Sequence, residues 1–176
     1  AYQPAVSAPV RDRMILFGRV GVDGVYRNDL WALSLVGIPV WRTLFAAGSP
    51  PSARVGHTAI YDPVRDRMVV FGGFAGPSLN DVWSLSLAGS PTWSTLAPIG
   101  TPPTPRGGHS AIYDPVRDRM VVFGGEGGGA LNNEVWTLSL SESPTWSAIA
   151  AAGSPPSARS GHTAIYDPLR DRMLVF

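Results

Sequence analysis

Three histidines are the first residues of this 176-residue chain whose chemistry calls for a test. His57, His109 and His162 each follow an arginine by three positions (Arg54, Arg106 and Arg159), and the steps between them are 52 and 53 residues. Imidazole is the commonest protein metal ligand, so a shared ion is the obvious chemistry to ask about. Ligands of one zinc lie about 2 Å from it and therefore close to one another. Residues at equivalent positions of a stacked repeat are about 10 Å apart, the spacing of packed sheets. The expectation is therefore structural for each histidine, with no metal site.

The rest of the reactive inventory is sparse. There is no cysteine, which excludes thiolate nucleophiles, disulfides and Cys-ligated metals. The only glutamates are Glu126, Glu134 and Glu142, none with an obvious acid–base partner in sequence. No catalytic constellation is present, so the chain is not expected to be an enzyme and no cofactor is expected. Arg-Asp-Arg triplets such as Arg65-Asp66-Arg67 recur in every unit and read as solvated hairpin decoration with local ion pairs of small worth. A net charge of +1 leaves no excess to neutralise phosphates, so nucleic acid is not an expected partner. All 14 basic residues are arginine, which together with the Ala, Gly and Pro richness suggests a bacterial source with high-GC coding.

What must position these residues is a repeat. The run from His57 to Gly73, HTAIYDPVRDRMVVFGG, returns from His109 to Gly125 with one change, Ser110 for Thr58. It returns again from His162 until Phe176, and a degraded copy opens the chain with Gln3 in place of the histidine and Arg19 in place of the second glycine. Asp-Pro, Gly-Gly and Ser-Pro divide each unit into runs too short for helices. Four strands per unit are expected. In the second unit these are His57 to Tyr61, the doubly apolar Arg67 to Phe71, the alternating Asp81 to Leu87 and Thr92 to Ala97. The alternation of Trp83, Leu85 and Leu87 against Val82, Ser84 and Ser86 is the pattern of a half-buried strand. Trp93 is large enough to anchor contact with a neighbouring sheet. Pro-rich crossings, Ala47 to Gly56, Pro98 to Gly108 and Ala152 to Gly161, suit links from the outer edge of one sheet to the inside of the next.

A Gly-Gly doublet after an apolar strand (Gly72-Gly73, Gly124-Gly125), a tryptophan about ten residues on (Trp83, Trp136), another ten further (Trp93, Trp146), and Arg-x-x-His before the next unit resemble kelch repeats. The resemblance covers essentially the whole chain and extends to the kelch-type central domain of galactose oxidase. It implies an all-β fold, a kelch-type β-propeller segment of four-stranded antiparallel blades. Units of roughly 1–46, 47–98, 99–151 and a partial 152–176 give about three and a half blades in one segment. It also implies an interblade role for Arg54, Arg106 and Arg159. The missing cysteine rules out the thioether-linked copper radical site of galactose oxidase, and the iron motif of the nitrile-specifier kelch proteins is absent too. An arc of this length leaves terminal faces open, so either further blades or a second copy is expected to complete a ring.

Function is sought where the near-identical units differ. The segments after the second strands read Arg19 to Arg27, Phe74 to Leu79 and Glu126 to Asn132, all on one face, while the Asp-Pro and Ser-Pro turns share the other. Loops on a rigid scaffold are where binding concentrates. Asp23, Tyr26, Phe74 and Glu126 are accordingly the candidate binding residues, against the plainer reading of unconstrained connectors. Three functions stay open: a protein-binding scaffold, a carbohydrate-binding or enzymatic propeller whose active residues lie elsewhere, and a recently amplified or designed repeat without an evolved ligand. A glycan is the second partner class considered. No run approaches the roughly 18 apolar residues of a membrane span, and the opening residues lack a signal-peptide pattern. The compartment stays open.

Overall fold

Each Asp-Pro turn closes an inner hairpin, and the hairpins set the architecture. In the second unit, Asp62 Oδ1 accepts from the backbone N–H groups of Val64 and Arg65 at 3.1 Å each. Asp66 then takes a left-handed conformation, φ 44°, with Asp12, Asp118 and Asp171 doing the same at φ 45°, 47° and 47°. Aspartate tolerates this region because its short polar side chain bonds locally. The computed structural model describes residues 5–176. Gln3, the first unit's counterpart of His57, lies outside the described residues.

The first sheet comprises β1 (Ala5–Ala8), β2 (Arg13–Val20), β3 (Tyr26–Ser34) and β4 (Trp41–Thr43). The second holds β5 (Thr58–Asp62), β6 (Arg67–Phe74), β7 (Ser78–Ser86) and β8 (Thr92–Leu96). In the third unit β9 (Ser110–Asp114) and β10 (Arg119–Phe123) are followed by a short ladder, β11 (Glu126–Gly127) with β12 (Ala130–Leu131). The sheet is completed by β13 (Val135–Ser139) and β14 (Trp146–Ile149), and the last hairpin is β15 (Ala164–Asp167) with β16 (Arg172–Val175). Pairing is antiparallel between sequence neighbours, except that β10 pairs with β13 across the β11–β12 ladder, giving three four-stranded sheets and one two-stranded hairpin in the blade positions. The first strands β1, β5, β9 and β15 are neighbours around the inside. This is the all-β, four-stranded blade architecture of a partial propeller.

Blades stack face to face, and the second blade shows why its strands are so apolar. Met68 and Val70 of β6 join Phe17, Ile15, Leu85, Leu87 and Trp93 in a core between the first and second blades. Val69 and Phe71 join Val82, Met120, Val122, Leu138 and Trp146 in a core between the second and third. All four β6 residues are fully buried, each worth about 1.5–3 kcal/mol relative to exposure. Strand β7 departs from the half-buried pattern. Val82 and Ser84 on its second face are as covered as Leu85 on its first, because a blade with neighbours on both sides has no solvent face.

The second strand also differs at its end. It does not stop at Gly72-Gly73 but bends through a bulge between Phe71 and Gly73 and pairs on to Phe74, while β7 begins at Ser78 rather than Asp81. The glycines are required here. Gly72 has φ 64°, and a Cβ on it would lie 2.7 Å from the Arg106 carbonyl oxygen and 3.1 Å from His109 Cε1. Gly73 N–H donates to that same carbonyl at 2.8 Å. The doublet is thus where the next crossing is sewn onto the blade.

The Arg-Asp-Arg triplets make the expected local ion pairs, Arg65 and Arg67 with Asp62 and Arg117 and Arg119 with Asp114, but they also bridge blades. Arg11 bonds Asp66 (Nε–Oδ2 2.9 Å), Arg65 bonds Asp118 (2.6 and 3.1 Å) and Arg117 bonds Asp171 (2.7 and 3.0 Å), each reaching from one blade to the next. Tyr61, Tyr113 and Tyr166 donate to the same aspartates. Stacking brings the first arginine of one turn beside the aspartate of the next, a juxtaposition that a one-unit reading of charge could not register.

Candidate functional site

The histidines line one inner hollow together with Thr58 and Ser110. Thr58 Oγ1 and His109 Nε2 are 2.8 Å apart, as are Ser110 Oγ and His162 Nε2. A hydroxyl hydrogen-bonded to imidazole is the arrangement of a nucleophile and its base, so the pairs bear examination. Two features do not match that chemistry. No carboxylate orients the Nδ1 of His109 or His162, which lacks a hydrogen-bond partner among the described residues. In addition, burial, reinforced by the Arg106 charge, pushes the pKa of His109 down to about 3. Each imidazole instead packs on a phenylalanine of the preceding blade: His57 on Phe17, His109 on Phe71 and His162 on Phe123, with centroids 5.3, 5.0 and 5.3 Å apart.

The buried neutral histidines have a consequence for pH. Burial, with Arg54 nearby, also pushes His57 down to about 3, against about 6.5 in the unfolded chain. Below about 6.5 the unfolded chain binds protons that the folded one does not, so stability falls from pH 6.5 toward 3. Urea midpoints measured across that range should decline steadily below pH 6.5, and the H109Q variant should show a shallower decline. Flat midpoints down to pH 4 would contradict the buried neutral assignment.

Around this hollow the crossings are pinned by buried arginines. Arg54 bonds the carbonyls of Ser52 and Gly72 at 3.1 and 3.0 Å and grips Asp81 with two nitrogens at 2.7 and 2.8 Å. Arg106 likewise bonds the carbonyls of Thr104 and Gly124 and reaches Glu134 with one nitrogen at 2.7 Å. The carboxylates are in turn held by indole N–H groups, Trp83 on Asp81 at 2.7 Å and Trp136 on Glu134 at 3.1 Å. Asn80 ties the crossing from the other side, donating to the Pro103 carbonyl at 3.1 Å, with Asn28 on Pro51 in the same way. Asp81, Glu134 and Asn80 were missed in the sequence. Their signal is an Asn-Asp or Asn-Glu dipeptide two residues before each Trp of the third strand. Arg159 bonds only Ser157 among the described residues. In the first blade Arg19, standing where the others have the second glycine, serves Asp29 at 2.9 Å. Trp93 and Trp146 pack on Phe17 and Phe71 across the blade joints, centroids 4.9 and 4.8 Å apart.

The variable face carries a groove of about 290 Å³. Two sets of repeat-equivalent positions build it. The residue following the Gly-Gly position supplies Val20, Phe74 and Glu126 from three successive blades, and the crossings supply Val55-Gly56, Gly107-Gly108 and Ser160-Gly161. Backbone bonds fix both sets. Phe74 exchanges N–H and C=O with Val55 at 2.8 and 3.1 Å, and Glu126 does so with Gly107 at 2.8 and 2.9 Å. Gly108 N–H donates to Gly56 O and Gly161 N–H to Gly108 O, both at 2.7 Å, so the floor is a continuous backbone ladder across blades. The ring of Phe74 lies over Gly107, where any Cβ would collide with it.

Of the four candidate residues, the structure brings Tyr26, Phe74 and Glu126 together on this groove. Asp23 is not among its lining residues. Its carboxylate accepts from Val25 N–H at 3.1 Å and from Arg27 Nη2 at 2.5 Å, closing its own loop. Tyr26 and Phe74 lie on strand ends rather than in free loops, and Glu126 opens the β11–β12 ladder, whose turn uses Gly128 and Gly129 at φ 61° and 80°. Paired positive φ values are those of a tight hairpin turn.

The doublets, the stacked four-stranded sheets and the Arg-acid-Trp pins meet in one comparison. The KLHDC2/KLHL20/DRC7 Kelch-repeats domain matches residues 5–176. The chain belongs to the kelch-repeat family. Adagio-like protein 3 of Oryza sativa subsp. japonica is 40% identical over 159 residues, covering 88% of this chain and 24% of the relative. Adagio protein 3 of Arabidopsis thaliana is 38% identical over 159 residues, covering 88% and 25%. Host cell factor 1 of Homo sapiens is 31% identical over 185 residues, covering 93% and 9%. The chain thus spans a quarter or less of the length of these kelch relatives. All three come from eukaryotes, which does not support the bacterial source read from the arginine-only composition. Among the described residues, no helix is long and apolar enough to cross a membrane.

Proposed function

We propose that this kelch segment is a protein-binding module rather than an enzyme, and that its partner is received on the groove edged by Tyr26, Phe74 and Glu126. The observation that carries this reading is the contrast between frame and groove. Positions that hold blades together repeat almost unchanged, whereas one repeat-equivalent position beside the axis is valine, phenylalanine and glutamate in turn. A surface rigid in backbone and different in chemistry at each step suits an irregular polypeptide surface. Kelch repeats commonly serve as protein-interaction scaffolds.

The test is co-precipitation with quantitative mass spectrometry, comparing wild type, the Y26A/F74A/E126Q triple variant and V64S on the opposite face, where Val64 is 67% exposed. The triple variant should lose its specific partners at least tenfold while V64S keeps them. Equal recovery by all three would overturn the assignment of this face.

A further inference from the structure

We propose that the groove takes a cationic side chain of the partner, an arginine or lysine, seated between the aromatic edge and the carboxylate of Glu126. This rests on the protein-binding reading above and adds the chemistry of the anchor.

Charge is the first argument. No arginine lines the groove: of those next to its lining residues, Arg19 is matched by Asp29 at 2.9 Å and Arg27 by Asp23 at 2.5 Å, while Arg159 bonds only Ser157 among the described residues. Glu126 makes no ion pair or side-chain hydrogen bond among the described residues, and it is the one charged residue lining the groove. Its neighbours at the other two repeat-equivalent positions are neutral.

The floor gives the second argument. Glycine N–H groups facing a pocket would ordinarily favour an anion, but those of Gly107, Gly108 and Gly161 are all donated to backbone carbonyls. An acidic partner would find these three donors already taken and would meet one opposing carboxylate. A cation meets the reverse: a carboxylate, plus Tyr26 and Phe74, whose ring faces attract ammonium and guanidinium groups. Guanidinium, planar and weakly hydrated, suits such a flanked slot better than ammonium.

The fold sets where the two anchoring side chains leave the backbone. Glu126 is held at its backbone by both bonds to Gly107, and Phe74 is held by both bonds to Val55 and lies across Gly107. The backbone of Glu126 and the ring of Phe74 thus meet at the same residue of one crossing, so a side chain entering there lies beside both without rearrangement of the blade.

The probe is the blocked pentapeptide acetyl-Ala-Ala-Arg-Ala-Ala-amide, titrated into this chain while the amide resonances of Gly107, Gly108 and Gly161 are followed by NMR. The citrulline peptide, which keeps the shape of arginine without its charge, and the glutamate peptide are the comparisons. Saturable shifts at these glycines with the arginine peptide are expected. Affinity should fall at least fivefold for citrulline and for the E126Q variant, and E126R should bind the glutamate peptide in preference. Equal binding of citrulline and arginine peptides, or better binding of the glutamate peptide by wild type, would overturn the proposal. The co-precipitation separates the two levels. Loss of partners in the triple variant but not in E126Q leaves the face in place and removes the cationic anchor, whereas retention in the triple variant removes the face itself.

Discussion

Replacing Arg106 with methionine should destabilise this chain by about 3 kcal/mol, the cost of leaving buried acceptors without their donor while part of the stem volume is kept. Arg106 is fully buried and satisfies the carbonyls of Thr104 and Gly124 as well as Glu134. Glu134 itself keeps half of its side chain in solvent, so its carboxylate is not stranded when the arginine goes. The loss falls on the two carbonyls and on the crossing they anchor. Lysine should recover little, because an ammonium cannot present the fork that spans carbonyls and carboxylate together. The internal control is Arg159, the same repeat position, which reaches only Ser157 among the described residues. Its methionine variant should fall within about 0.5 kcal/mol of wild type. Urea unfolding of the three proteins measures both values, and similar costs at positions 106 and 159 would sink the interpretation.

The second large effect is expected at Phe71. Truncation to alanine should cost about 3–5 kcal/mol, the range for removing a large buried aromatic. Its ring is fully buried and packs on His109 and Trp146 of the next blade at 5.0 and 4.8 Å, so one residue joins the inner and outer parts of a blade interface. Leucine should restore about half, since it refills much of the space without the aromatic contacts. Phe176, at the same repeat position but 66% exposed, should tolerate alanine with a change of no more than about 0.5 kcal/mol. A cost below about 1 kcal/mol at Phe71 would mean that the blade joint does not depend on this residue.

These two residues also mark how far the sequence could be read. The four strands of each unit, the turn chemistry of Asp62-Pro63 and the doubly apolar Arg67 to Phe71 were legible because each depends on residues within one unit. Strand ends were less so: the bulge that carries β6 past Gly72 to Phe74 is imposed by the Arg106 carbonyl of a later crossing. The charged triplets were read only in part for the same reason: their local pairs were legible, and their pairs between blades were not. Arg65 and Asp118 are 53 positions apart, and only stacking makes them partners.

The candidate groove divides along the same line. The residue types at Tyr26, Phe74 and Glu126 drew attention because they break a near-perfect repeat, and Asp23 drew it equally. Sequence had no means to separate them, since the difference lies in whether the side chain is engaged by its own loop. Arg27 four residues on from Asp23 holds that carboxylate in place, whereas Glu126 has no such neighbour among the described residues.

What the amino-acid sequence by itself determined, then, is the repeat, its strands, its turns and the family they resemble. Periodicity of apolar and turn residues is a local property that one unit states and the others restate. Tertiary structure alone decided that Val20, Phe74 and Glu126, each more than fifty residues from the next, edge one groove. It also decided that His109 and His162 pair with hydroxyls of the neighbouring blade and that burial lowers the pKa of all three histidines. Both follow from face-to-face stacking, which turns a linear repeat into a set of equivalent positions gathered around an axis.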